Sequence, residues 1–382
     1  MKRLIMDEYA DFECIGGACP ATCCCGWQVR IDPKSAERYK AVEGDFGEEL
    51  RKYIKTLKDG RSYFEMQNNG RCPFLNKDNL CRIYRTLGTE AMCETCQKYP
   101  REIYCVGDIQ FAAVSISCPE AGRLILGKAE KAQYAYHEDE EGTYGDNTDW
   151  NSFNLAIRTY TTLNGIFQER EFYVRERITA AMIYASRMQE LMASKASTEA
   201  LTQLFQDPDQ YASVTALVLA EKRAVAEKVN FVRTFIEAMY RTGRSQELVM
   251  GFHEILEYIS AEVDQNEEIW QEAFACFDSN VDESEQEQLL VYLLFRHFME
   301  EYKIKTVWES IVQIVAFFSA YRCLTALHYI NRGEFPDFNW RVLLVARVSR
   351  LFEHTRGAWD AILENMKAEG MDSLRFMLHL VN

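Results

Sequence analysis

The chain has 382 residues, 48% of them hydrophobic and 26% charged, the balance of a soluble globular protein with material for about two domains. Lysine and arginine number 43 against 58 aspartates and glutamates, a formal charge of -15, which argues against a general nucleic-acid binder with a basic face. The opening Met1-Lys2-Arg3-Leu4-Ile5-Met6 turns acidic at Asp7-Glu8 and holds no secretory hydrophobic region, so a reducing cytoplasmic setting is expected.

In chain order, residues 1–32 read as irregular, bent by Gly16-Gly17 and Pro20 and ending in an extended Trp27–Ile31. Asp32-Pro33 predicts a helix start, with Asp as N-cap and Pro at the first helical position, running to about Val42. A second helix is expected from Phe46 to Leu57, and an alternating strand over 62–67. A hairpin is predicted from Ile103–Val106 and Ile109–Ile116 across Gly107-Asp108, and Pro119 begins a short helix through Leu126. Residues 137–149 carry six acids and no Lys or Arg and read as a solvated linker. Beyond Trp150 the pattern is helical, over about 150–170, 171–194, 196–206, 209–243, 246–262, 265–278, 285–302, 305–331, 338–355 and 357–380. Pro208 and Pro336 fall at predicted boundaries. The apolar run Ile311–Phe318, flanked by Glu309 and Arg322, is too short for a membrane span, and a buried core helix without membrane insertion is expected. The fold class is therefore mainly α, with a small irregular cysteine-rich metal-binding domain of minor β content packed on a large helical domain. The expected division is a cysteine-rich domain over 1–128, an acidic linker over 129–150 and an all-helical domain over 151–382.

Eleven of the thirteen cysteines fall between Cys14 and Cys118, and no histidine precedes His137, so anything bound there is bound through sulfur. A reducing compartment and the run Cys23-Cys24-Cys25, whose neighbours bridge only with strain, both count against a disulfide framework. Zinc takes four thiolates and usually draws them from paired C-x2-C turns, of which Cys93–Cys96 is the single instance. An iron–sulfur cluster tolerates more varied spacings, and C-x4-C-x3-C-C at Cys14, Cys19, Cys23 and Cys24 could wrap one. Spacing does not separate iron from zinc. Cys276 and Cys323 read as buried apolar residues, and the same reading is open to Cys25, Cys93 and Cys105.

The chain has no G-x-x-x-x-G-K-[ST] phosphate loop, strand-linked G-x-G-x-x-G, G-x-S-x-G elbow or H-E-x-x-H helix. Cys19-x3-Cys23 begins a radical S-adenosylmethionine loop, C-x3-C-x2-C, but Gly26 stands where its third cysteine belongs. His253, His297, His328, His354 and His379 are scattered singly and read as structural.

The string F-E-C-I-G-G-A-C-P-A-T-C-C-C-G-W-Q-V-R-I-D at residues 12–32 resembles the opening of the flagellin lysine-N-methylase family. C-P-F-L-N-K-D-N-L-C-R-I from Cys72, T-C-Q-K-Y-P-R ending at Arg101 and S-C-P-E-A from Ser117 follow in the same order. These motifs lie within residues 12–121, and the cysteine part is also similar to a broader class of zinc- or iron-chelating domains. The resemblance implies methyl transfer from S-adenosylmethionine to lysines of flagellin, by an enzyme carrying a [4Fe–4S] cluster. It maps the metal-binding cysteines onto Cys14, Cys19, Cys23, Cys24, Cys72, Cys81, Cys96 and Cys118. These are twice the four a cubane needs, so either two centres form or half of the cysteines do other work.

Polar methyl transfer requires a lysine that has lost its proton, from an ordinary pKa of about 10.4, whereas a cluster that reduces the methyl donor makes the mechanism radical and needs an open iron site. Tyr99 and Glu120, which flank matched cysteines, are the candidate catalytic residues, and Arg101 is the candidate for holding the methyl donor's carboxylate or another anion. Trp27 is expected to pack over the cysteine loop. The partner is then a protein substrate, flagellin or another lysine-bearing protein. The alternatives are a non-catalytic zinc- or iron-chelating structural or interaction protein, and an electron-transfer protein.

Overall fold

Asp32 caps its helix as the sequence predicts: one carboxylate oxygen accepts from the Ser35 amide at 2.9 Å at the start of Pro33–Lys40. The other accepts from the Glu94 amide at 2.9 Å, so one cap ties this helix to Glu94–Lys98, sixty residues on. In a computed structural model, residues 2–138, 149–219, 225–242, 266–354 and 357–381 are described. The chain is mainly helical, 62% helix and 10% strand. The acidic stretch 139–148 and the helix expected over 246–262 lie outside the described residues.

Two small sheets form among the described residues. The first has the order β5-β6-β1-β7, from β1 (Lys2–Met6), β5 (Arg101–Val106), β6 (Ile109–Val114) and β7 (Tyr134–Glu138). The predicted hairpin is present as β5 and β6. The expectation of irregular chain over 1–32 fails at its start. There β1 runs parallel to β6, Lys2 opposite Ile109, and antiparallel to β7, Met6 opposite Tyr134. The second sheet, β2-β4-β3, joins Arg30–Ile31 (β2), Ile54–Thr56 (β3) and Ser62–Phe64 (β4). Helix Gly44–Tyr53 therefore stops earlier than the expected Leu57, because residues 54–56 pair with β4.

Among the described residues, the buried apolar side chains gather into two cores. A small core joins Val29, Ile31, Tyr39, Leu50, Phe64 and Phe74 with Cys72 and Cys93. The first sheet and helix Pro119–Leu126 instead share one core with the helical body, through Phe111, Val114, Cys118 and Ile125. At the centre of that body lies Val307–Arg332, opened by a Thr306/Glu309 capping box and closed by Gly333 at φ +71°. By length and composition this helix could cross a membrane, but its apolar window is wholly buried within the protein. The helix expected over 357–380 is two, Ala358–Ala368 and Leu374–Val381, with Gly370 at φ +68° between them. Residues 285–302 are helical throughout but not uniform: Glu283–Leu293 passes into a π-helical turn, Leu294–Phe298.

The helical body also buries charge. Glu285 accepts from Arg341 Nε at 2.9 Å and Nη2 at 2.6 Å, and Tyr321 donates to it as well. The Glu285 and Arg341 side chains are 5% and 8% exposed. Removing one partner leaves the other charge desolvated, so Glu285→Ala should cost about 3–5 kcal/mol in urea unfolding. A loss under about 1 kcal/mol would show that the pair is not desolvated.

Candidate functional site

All eight motif cysteines carry free thiols. Backbone N–H groups point at several of the sulfurs: Gly16 at Cys14 (3.4 Å), Ala21 at Cys19, Phe74 at Cys72, Ile83 and Tyr84 at Cys81, and Glu120 and Ala121 at Cys118. Such donors favour thiolate over thiol, while burial works the other way and pushes the Cys72 thiol up to about 12. Two pairs of thiols hydrogen-bond internally. In one, the bond from Cys23 lowers Cys24 to about 7; in the other, the bond with Cys96 lowers Cys93. Among the described residues no three His, Cys, Asp or Glu side chains already close on one point as a single ion requires. The chemistry of the donor set, eight free thiols with amide N–H groups aimed at sulfur and no histidine among them, fits a sulfur-ligated cluster. Cys105, by contrast, is exposed on β5 and not the buried apolar residue it could have been, whereas Cys93 and Cys323 are buried.

The cysteine loop is held to the helical body by Arg350, near the end of Phe338–Glu353. Its guanidinium donates to the Ser117 carbonyl at 2.8 Å and to the Ala21 carbonyl at 2.5 Å. Ala21 lies between Cys19 and Cys23, and Ser117 precedes Cys118, so one cation joins two of the thiol-bearing segments to the helical body. Beside this clamp, three half-buried rings meet. Trp27 stacks on His354 with centroids 4.8 Å apart, and Tyr99 lies 5.6 Å from Trp27 and 5.8 Å from His354. Trp27 also donates its indole N–H to the Cys23 carbonyl, so it covers the cysteine loop as expected.

Below the rings runs a hydrogen-bonded chain. The Ser117 hydroxyl is 3.0 Å from both the Tyr99 hydroxyl and His354 Nε2, and 2.6 Å from the Ser115 hydroxyl. Ser115 donates to Glu353, which also accepts from Tyr292 (3.3 Å) and Ser349 (2.7 Å). The Glu102–Arg296 ion pair lies close enough to His354 to act on its charge, with Arg296 placed by the π-helical turn. Burial pushes Tyr99 well above its ordinary range, so it is a neutral phenol. Burial also pushes His354 down to about 4, aided by Arg350 and Arg296 and opposed by Glu102.

The residues expected from the sequence separate here. Tyr99 sits in the seam. Glu120 is turned to Arg123, 2.6 Å away on its own helix, with Cys19 nearby. Arg101 donates to the Phe12 carbonyl at 2.9 Å and lies over the Tyr9 and Phe12 rings, holding the segment that leads into Cys14. Sequence reasoning missed Arg350, Glu353, His354, Arg296 and Glu102. Trp27 is singled out by the sequence, and Ser117 stands inside a recognised motif and could have been found there; the others have no local signal.

Fold and site define a mainly helical protein whose cysteine-rich head is clamped to its body across a buried acid–base seam. Residues 161–380 match the family model described as the FliB lysine N-methylase C-terminal domain, and the chain belongs to the FliB lysine N-methylase family. It is 28% identical over 158 residues to the flagellar biosynthetic protein FliU of Salmonella muenchen, covering 36% of this chain and 89% of that protein. It is 32% identical over 141 residues to the lysine-N-methylases of Salmonella choleraesuis and Salmonella typhimurium, covering 33% of this chain and 33% of each relative. The chain thus spans about a third of the length of the two lysine-N-methylases it matches. No solved structure matches it.

The depressed pKa of His354 has a consequence for stability. Between about pH 4 and 6.5 the unfolded chain binds a proton at this residue that the folded chain does not. Its contribution is therefore complete above pH 6.5 and is lost as pH falls toward 4, about 3 kcal/mol in all. Urea unfolding of the wild type should fall by this amount relative to His354→Gln between pH 7 and pH 4. Parallel pH profiles would show that His354 stays solvated and titrates normally.

Proposed function

We propose that this protein is a cytoplasmic protein-lysine N-methyltransferase that uses S-adenosylmethionine and carries an iron–sulfur cluster in its cysteine head. Flagellin, or another lysine-bearing protein, is its substrate. The observation that carries the reading is the family match over the helical body, joined to a seam that sets an aromatic, proton-accepting surface against the cysteine loop. When bound, the donor supplies a methyl group on a cationic sulfonium, and the cluster supplies one-electron chemistry together with a cross-link of the head.

The chain's own residues have three tasks. The faces of Trp27, Tyr99 and His354 offer a cation-attracting surface for the sulfonium or the lysine side chain. His354, neutral at physiological pH, can accept a hydrogen bond from the substrate nitrogen, and its depressed basicity suits it to pass that nitrogen's proton on, not to hold it. Ser117 and Ser115 link that imidazole toward Glu353, so a proton taken at His354 has a hydrogen-bonded path to a carboxylate. In the transfer the nitrogen lone pair forms the new N–C bond as the C–S bond breaks, its electrons leaving on sulfur. Positioning and desolvation supply most of the acceleration.

The test is incubation of the anaerobically prepared full chain with methyl-labelled S-adenosylmethionine and flagellin. Label should appear on lysine, and His354→Gln should lower turnover by about 10²-fold or more with the fold intact. A folded, metal-containing protein that neither binds the donor nor transfers methyl would contradict the proposal and leave the structural or electron-transfer alternatives.

A further inference from the structure

We propose that the eight motif cysteines form two separate four-thiolate metal centres. Cys24, Cys72, Cys81 and Cys96 make one, inside the small core, and Cys14, Cys19, Cys23 and Cys118 make the other, at the seam. This rests on the cluster-binding part of the function proposed above and divides it.

Packing supports the division first. Cys72 belongs to the small core, with Cys24, Cys81 and Cys96 packed against it, whereas Cys118 belongs to the core of the helical body. Backbone pairing draws the inner set together: the Cys72 amide donates to the Cys24 carbonyl at 2.8 Å, and Leu75 bridges to Cys81. Tyr39, fully buried, lies beside Cys93, Cys96 and Cys81, and the unassigned Cys93 hydrogen-bonds to Cys96 in the same core. In the outer set, Cys19 has Cys14 and Cys118 as its thiol neighbours, and Cys14 also neighbours Cys23, which itself lies near Cys96 across the line. The Arg350 guanidinium stands near Cys19, Cys23 and Cys118, and also near Cys24, so it lies along the line between the sets.

The line between the sets runs between adjacent residues, Cys23 and Cys24, whose thiols touch. In two-cluster ferredoxins one run of cysteines also serves two clusters, though there the two ligands have three residues between them and here they are adjacent. Four thiolates is also what one cubane takes, so eight divide without remainder. The two environments differ. The inner set is enclosed within the core that holds the head together, whereas the seam set includes the exposed Cys14 and adjoins Trp27, Tyr99 and His354. The inner centre therefore stabilises the head, and the seam centre faces the reaction surface.

The test is the metal content of the full chain, prepared anaerobically and reconstituted with ferrous iron and sulfide, with iron, zinc and sulfide assayed per chain alongside EPR spectra. Cys14→Ser and Cys81→Ser should each halve the metal bound, remove a different spectral component, and together remove both. Zinc in one set in place of iron would still count as that centre. A single variant that empties the whole chain, or one that leaves the metal unchanged, overturns the division. If Cys81→Ser does not fold, the wild-type stoichiometry decides: metal for only one centre overturns it. The readout is independent of methyl transfer, so a doubly loaded but inactive protein would sink the methylase reading and leave the two centres standing.

Discussion

A single guanidinium holds the architecture in register. Arg350 spends its donors on the Ser117 and Ala21 carbonyls, and thereby fixes the cysteine loop, the turn before Cys118 and the end of a body helix at one point. Hydrogen bonds from a charged donor are among the stronger ones in proteins, and Arg350 is itself buried, so little water competes for them. The rings of Trp27, Tyr99 and His354 meet beside this point because their three segments are brought to it: the cysteine loop, the approach to β5, and the helix carrying Arg350.

The same geometry explains why the head need not have a large core. Its apolar interior comprises about a dozen buried residues between Val29 and Cys93, and its strands are two or three residues long. Short strands and helices of this kind depend on anchoring from outside. The structure supplies one anchor through Arg350 and another through Arg101, whose bond to the Phe12 carbonyl holds the approach to Cys14. Thiol ligation would supply a third, since binding a metal that the unfolded chain does not hold adds to folding free energy.

Much of the fold was legible where local chemistry decides it. The Asp32-Pro33 start, the hairpin across Gly107-Asp108, the Pro119 helix and the long helix through Ile311–Phe318 follow from capping, turn and periodicity signals that need no distant partner. Strand β1 was not legible, because the strands that complete it begin at Ile109 and Tyr134. Residues 54–56 extend an apolar helical pattern yet form a strand, because pairing with β4 prevails over local propensity. The site divides in the same way. Its cysteines, Trp27 and Ser117 sit in motifs that can be read directly, and Tyr99 follows from its place beside one. His354 is one of several isolated histidines, and its role is defined by contact with Ser117, 237 residues earlier. No window along the sequence contains that pair.

In the function proposed above, the donor binds at the seam between head and body. The most direct measurement is a crystal structure of the anaerobically prepared full chain soaked with S-adenosylhomocysteine, the product of the methyl donor. The account predicts ordered ligand with its sulfur against Trp27, Tyr99 and His354. Ligand instead ordered in the open cavity of about 540 Å³ lined by Arg158, Met192 and Glu199, with the seam empty, would contradict it.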